Sequence, residues 1–67
     1  MKTPGGLEVT RHTATKKLDD PWEVHVVCKS ARAYFEGFGH DIDLNHAFVQ
    51  AYQDADKEQV WRLSGRT

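Results

Sequence analysis

Seven consecutive residues offer the densest set of potential metal ligands in the chain: His40-Asp41-Ile42-Asp43-Leu44-Asn45-His46. Neutral imidazoles and carboxylates bind zinc and other divalent ions, and a loop running into a helix could converge them. The spacing H-x-D-x-x-H matches no tight metal signature, however, and Asp43 stands where a helix cap is needed. The stretch reads as a polar loop and helix start, so no metal is expected at His40, Asp43 or His46. Cys28 could serve as a nucleophile with His25 as its base. In a strand those two positions point to opposite faces, which works against a dyad, so Cys28 reads as a small buried apolar residue. Gly37-Phe38-Gly39 lacks the third glycine and the lysine of a phosphate cradle and reads as a strand-to-helix turn needing backbone freedom. The scattered carboxylates single out no acid/base pair. Neither an enzymatic activity nor a cofactor is expected.

Two other sets of residues suit recognition. Arg11, Lys16 and Lys17, with Lys2, could follow a phosphate backbone. Arg32 alternates with Tyr34 and Phe35, and exposed aromatics stack on bases. Tyr34, Phe38 and Trp61 are residue types that anchor protein interfaces and fall outside the expected core.

The elements that must carry these residues follow from periodicity. Residues 1–6 read as a flexible arm, since Pro4-Gly5-Gly6 supplies backbone freedom and no pattern. Leu7 to Thr15 is rich in β-branched residues and weakly apolar, which predicts an edge strand. Asp19-Asp20-Pro21 marks a turn. Trp22 to Cys28 gives the clearest strand signal, with Trp22, Val24, Val26 and Cys28 on one face and Glu23, His25 and Lys29 on the other. Residues 30–39 fit either a strand or a helix capped by Ser30; the aromatic density favours a strand, although Lys29-Ser30 is not a preferred two-residue hairpin turn.

Asp43 then caps a helix whose stripe of Leu44, Ala47, Phe48, Ala51, Tyr52 and Ala55 is about 140° wide. At the same pitch Val60 and Trp61 fall off the stripe, predicting a helix end near Asp56-Lys57. Residues 59–63 would then form a short strand or a second helical turn, and residues 64–67 a tail. The expected fold is α+β: a small antiparallel sheet in β-β-β-α order with one amphipathic helix on one face, as a single domain over residues 7–63.

Composition limits what such a domain can be. A chain of 67 residues builds one thin core, and chains below roughly 70–80 residues often need a disulfide, a metal or a partner. With Cys28 as the single cysteine, no internal disulfide can form. The lone cysteine and the polar start after Lys2 point to the cytoplasm rather than secretion, and no apolar run approaches the roughly 18–20 residues of a membrane span. The net charge of −1 recruits neither nucleic acid nor an anionic membrane in bulk. Residues 1–17 are basic, whereas residues 18–43 hold six acids against Lys29 and Arg32.

The run Tyr34-Phe35-Glu36-Gly37-Phe38-Gly39, followed by a helix with Ala47 and Ala51, resembles the last strand and helix of a double-stranded-RNA-binding domain. A truncated β-β-β-α version of that fold is also what HicB-family antitoxins resemble. The likeness covers residues 22–55 and implies the fold more than RNA binding. RNA-binding members carry lysines at the start of this helix, where this chain has Asp41, Asp43 and Asn45, and their first helix is absent here.

The functional expectation is a small protein-binding module, such as a phage or mobile-element accessory protein or inhibitor that masks a surface of a larger host protein or complex. Tyr34, Phe38 and Trp61 would be its contacts, and a homodimer is the other use of its apolar surface. The alternative is a nucleic-acid-binding module using Arg11, Lys16, Lys17 and Arg32.

Overall fold

A computed structural model describes residues 1–31 and 33–63; Arg32 and the expected tail at 64–67 lie outside the described residues. Three strands, β1 (Glu8–Thr15), β2 (Trp22–Lys29) and β3 (Tyr34–Asp41), are followed by one helix, α1 (Leu44–Leu63). The strands form an antiparallel meander in the order β1-β2-β3. The helix lies across β3 and β2, and its Phe48 ring meets His12 of β1 edge-on at 5.8 Å. This is the α+β architecture that the alternation and the helical stripe predict.

The two readings of residues 30–39 resolve to a strand. Its connection is a four-residue loop rather than a tight Lys29-Ser30 turn, closed by the Ser30 amide donating to the Ala33 carbonyl at 2.9 Å. Strand pairing then sets Lys29 against Tyr34, His25 against Phe38 and Trp22 against Asp41. In β1 the pairing shifts between Val9 and Arg11, a bulge that leaves Thr10 as the extra residue.

One face of the sheet and one face of the helix make the core: Leu7, Val24, Val26, Cys28, Phe35, Ala47, Ala51 and Ala55. The helix sits unusually low on β3. A Cβ built at Gly37 would overlap the carbonyl oxygen of Ala51, and one at Gly39 that of Ala47. The two glycines therefore do not form a strand-to-helix turn, as the G-x-G pattern suggests. They lie within β3 with ordinary backbone angles, and what they supply is the missing side chain that lets α1 approach. The alanines opposite them serve the same contact from the helix side.

The helix begins as the sequence predicts: the Asp43 Oδ1 accepts from the amides of Asn45 at 2.8 Å and His46 at 3.3 Å. It does not stop near Asp56-Lys57 but continues as one helix to Leu63, so residues 59–63 form no strand. The apolar stripe is required only where the sheet lies beneath, and Ala55 is its last fully buried member. Beyond it the good helix formers Lys57, Glu58 and Gln59 extend the helix without that support.

Residues 1–6 are not a loose arm. The Thr3 hydroxyl donates to Asp56 Oδ1 at 2.5 Å and accepts from the Leu7 amide at 3.0 Å, while the Gly5 amide donates to Asp56 Oδ2 at 3.0 Å. The Val9 amide bonds the Met1 carbonyl at 2.8 Å, so the first residues run back along the start of β1. Gly6, with φ of 92°, makes the reversal, a conformation that only glycine adopts without strain. Pro-Gly-Gly is thus a tight turn, docked by a carboxylate more than fifty residues away in sequence.

Candidate functional site

Alternation along the strands divides the side chains between the helix-covered face and an open face. On β3 the open-face residues are Tyr34, Glu36, Phe38 and His40, with Phe35, Gly37 and Gly39 beneath them in the core layer. On β2 they are Glu23, His25, Val27 and Lys29. The β1 partners of the last four, Thr15, Thr13, Arg11 and Glu8, complete the face.

Tyr34 and Phe38 are 60% and 61% exposed, which is high for large rings on a regular strand. Four residues apart on one strand, they stand about 13 Å apart along it. Each has a cross-strand neighbour that limits its motion. The His25 ring stacks on Phe38 with centroids 4.7 Å apart and planes 16° apart. His25 Nε2 also lies 2.8 Å from Glu36 Oε1, so the ring is held from two sides. At the other end the Lys29 ammonium lies 5.9 Å from the Tyr34 ring centroid. The face is therefore mixed in charge, with Arg11 and Lys29 near Tyr34 and with Glu23, Glu36, His25 and His40 around Phe38.

Trp61 is 77% exposed but belongs to the helix layer, beside Val60, Lys57 and Asp56 at the end of α1. The structure thus brings two of the three expected contact residues together and leaves the third on the other side of the sheet. The basic set is not gathered either. Arg11 is on the open face, where with Thr10, Val27, Lys29 and Tyr34 it lines a shallow depression. Lys16 lies about 17 Å further along the chain direction of β1. Its ammonium reaches the Leu18 carbonyl at 3.4 Å within the β1–β2 loop that also holds Lys17. Arg32 lies outside the described residues.

The carboxylates of the His40–His46 stretch are engaged locally. Asp41 accepts from the Asp43 amide at 2.9 Å and from the Gln50 side chain at 3.1 Å, and Asp43 caps the helix. Among the described residues no group of three or more His, Cys, Asp or Glu side chains is disposed to hold a metal. Cys28 is buried under the helix on the face opposite His25. Burial, and then the negative charge of Asp56, pushes its thiol above the ordinary 9.0, which keeps it protonated at neutral pH.

His25, Val27, Lys29 and Glu36 belong to this face although sequence reasoning did not single them out as site residues. The signal was present: once β2 and β3 are read as strands, period-two alternation puts them beside Tyr34 and Phe38. Their pairing across strands depended on register, which the loop length at 30–33 sets.

Comparison with family models returns no match, and neither a curated protein nor a solved structure matches the chain. Among the described residues no helix is long and apolar enough to cross a membrane.

Proposed function

We propose that this domain is a non-enzymatic protein-binding module that docks the open face of its sheet onto a larger partner and occludes a surface there. The observation that supports this reading is the pair of exposed rings, Tyr34 and Phe38, held on a strand whose other face is packed against α1. Rigid aromatics lose little conformational entropy on binding and fill pockets well, which is why they dominate interface energetics. The surrounding Lys29, Arg11, Glu36 and Glu23 supply a polar rim of both signs. An accessory protein that inhibits by masking is the role such a domain fits. Trp61 marks a separate surface in this reading.

A nucleic-acid-binding alternative draws on one specific observation, the convergence of Arg11 and Lys29 beside the Tyr34 ring. Base stacking with adjacent cations is the usual single-strand recognition chemistry. Glu23 and Glu36 on the same face, and Asp41 and Asp43 at the helix start, oppose it.

Affinity capture with the wild-type chain and with Tyr34→Ala/Phe38→Ala, each with and without nuclease and at low and high salt, separates the readings. The protein-binding reading expects a complex that survives nuclease and salt and is lost with the two rings. A complex that is lost on nuclease treatment, or that weakens about 10³-fold or more between 50 and 200 mM salt, would transfer the assignment to nucleic acid. Retention of a complex by the folded double variant would remove the open face from the site.

A further inference from the structure

A three-stranded sheet has two edges, and this chain treats them differently. On β3 the Phe38 amide donates to Asp54 Oδ2 and the His40 amide to Gln50 Oε1, both at 3.0 Å. These helix side chains, one turn apart on α1, satisfy amides that a further strand would otherwise use. The start of β1 is closed as well, by the Val9 amide bonding the Met1 carbonyl and by the Lys2–Glu8 bridge. From Thr10 to Thr15, β1 is exposed at every residue, and among the described residues no segment runs along its outer side. Open edges of this kind are templates for strand addition unless charges or proline blunt them. Here Thr10-Arg11-His12-Thr13-Ala14-Thr15 contains one fixed charge, no proline and three threonines.

We propose that the β1 edge pairs antiparallel with β1 of a second copy of this chain, joining two sheets into one of six strands. Three features of the strand fit a copy of itself. Directly opposite residues in a continuous sheet share a face, so Arg11, Thr13 and Thr15, which pair with the open-face residues Val27, His25 and Glu23, must meet one another. A twofold axis at Thr13 sets Thr13 against Thr13, Arg11 against Thr15 and His12 against Ala14. That register places no like charges opposite each other and makes a Thr–Thr pair, a favourable cross-strand combination. An axis at Arg11 or His12 would instead set identical basic side chains face to face. The dimer keeps both helices on one side and both Tyr34–Phe38 rows on the other, on the two outermost strands. This assembly is independent of what the open face binds.

The test uses the full chain. Light scattering after size exclusion is expected to give twice the 7.7 kDa chain mass, with dissociation on dilution. Thr13→Lys places two ammonium groups opposite each other at the axis and is expected to yield a folded monomer by circular dichroism. In Thr13→Cys the facing Cα atoms would stand about 4.5–5.5 Å apart, within disulfide range. Two thiols should then join on oxidation by oxidised glutathione, which takes up the two electrons and two protons, far faster than in a Lys57→Cys control. Buried Cys28 should not react in the wild type. A single-chain mass up to about 1 mM would overturn the proposal. So would a dimer that persists in Thr13→Lys, or cross-linking of Thr13→Cys no faster than the control. If Thr13→Lys fails to fold, the cross-linking rate decides. A monomer whose β1 amides become protected only on adding an extended peptide would assign the edge to a different occupant and also overturn the reading.

Discussion

Replacing Gly39 by alanine tests the packing that holds the binding face in place. The added methyl would overlap the Ala47 carbonyl oxygen and come within 2.9 Å of the Ala51 amide nitrogen. Those are helix backbone atoms, so no side chain can rotate away; α1 itself must lift from β3. Overpacking of this kind costs about 1–3 kcal/mol, and more where the neighbour is rigid. The opposing gain from stiffening the unfolded chain is only about 0.4–1 kcal/mol. Because the neighbour is helix backbone the upper half of that cost applies, and after the opposing gain a net loss of about 1–2.5 kcal/mol is expected for Gly39→Ala. For a 67-residue domain, total stability of roughly 3–10 kcal/mol is ordinary, so Gly37→Ala/Gly39→Ala should unfold much of the population. Urea unfolding followed by circular dichroism and by the fluorescence of Trp22, which packs against the core, reads the effect. If Gly39→Ala unfolds within about 0.5 kcal/mol of the wild type, the close helix–strand approach is wrong, and with it the reason that Tyr34 and Phe38 are held rigidly.

Asp56→Ala should release residues 1–6, giving fast amide exchange at Gly5 and Leu7 and a stability loss of about 1.5–3 kcal/mol, because two donors lose a charged acceptor. Asp43→Ala removes the helix cap and should cost about 1 kcal/mol in the same urea experiment. Stability should fall with rising pH above about 9. Cys28 titrates above its ordinary 9.0 when folded, so in that window the folded state holds a proton that the unfolded state has lost, and the slope is negative by up to about 1.4 kcal/mol per pH unit. Tyr52, raised above 10.0 first by burial and then by Cys28, acts in the same direction at higher pH, and Cys28→Ala should remove the earlier part of the decline. Tyr34→Ala and Phe38→Ala should each leave stability nearly unchanged while weakening partner binding by 10-fold or more, measured by calorimetry once a partner is in hand.

The parts of this protein that local pattern determines were legible in its sequence. Alternation in Trp22–Lys29 gave both the strand and its buried face, because a half-buried strand must alternate. The spacing of Leu44, Ala47, Phe48, Ala51 and Tyr52 gave the helix face, and Asp43 its start. Tertiary structure decided what local pattern leaves open. Gly37 and Gly39 read as a turn because glycine usually signals freedom; only the position of α1 shows that they are there to be small. Thr3-Pro4-Gly5-Gly6 read as a loose arm because its anchor, Asp56, is remote in sequence and lies on the helix that was expected to end there. The exposed rings of Tyr34 and Phe38 could be named from residue type, but their union with His25, Lys29 and Arg11, and the separation of Trp61, followed from strand register and from which face the helix covers. Register and layer choice are global properties: each is set by the burial of the whole apolar face at once, and no short segment contains that information.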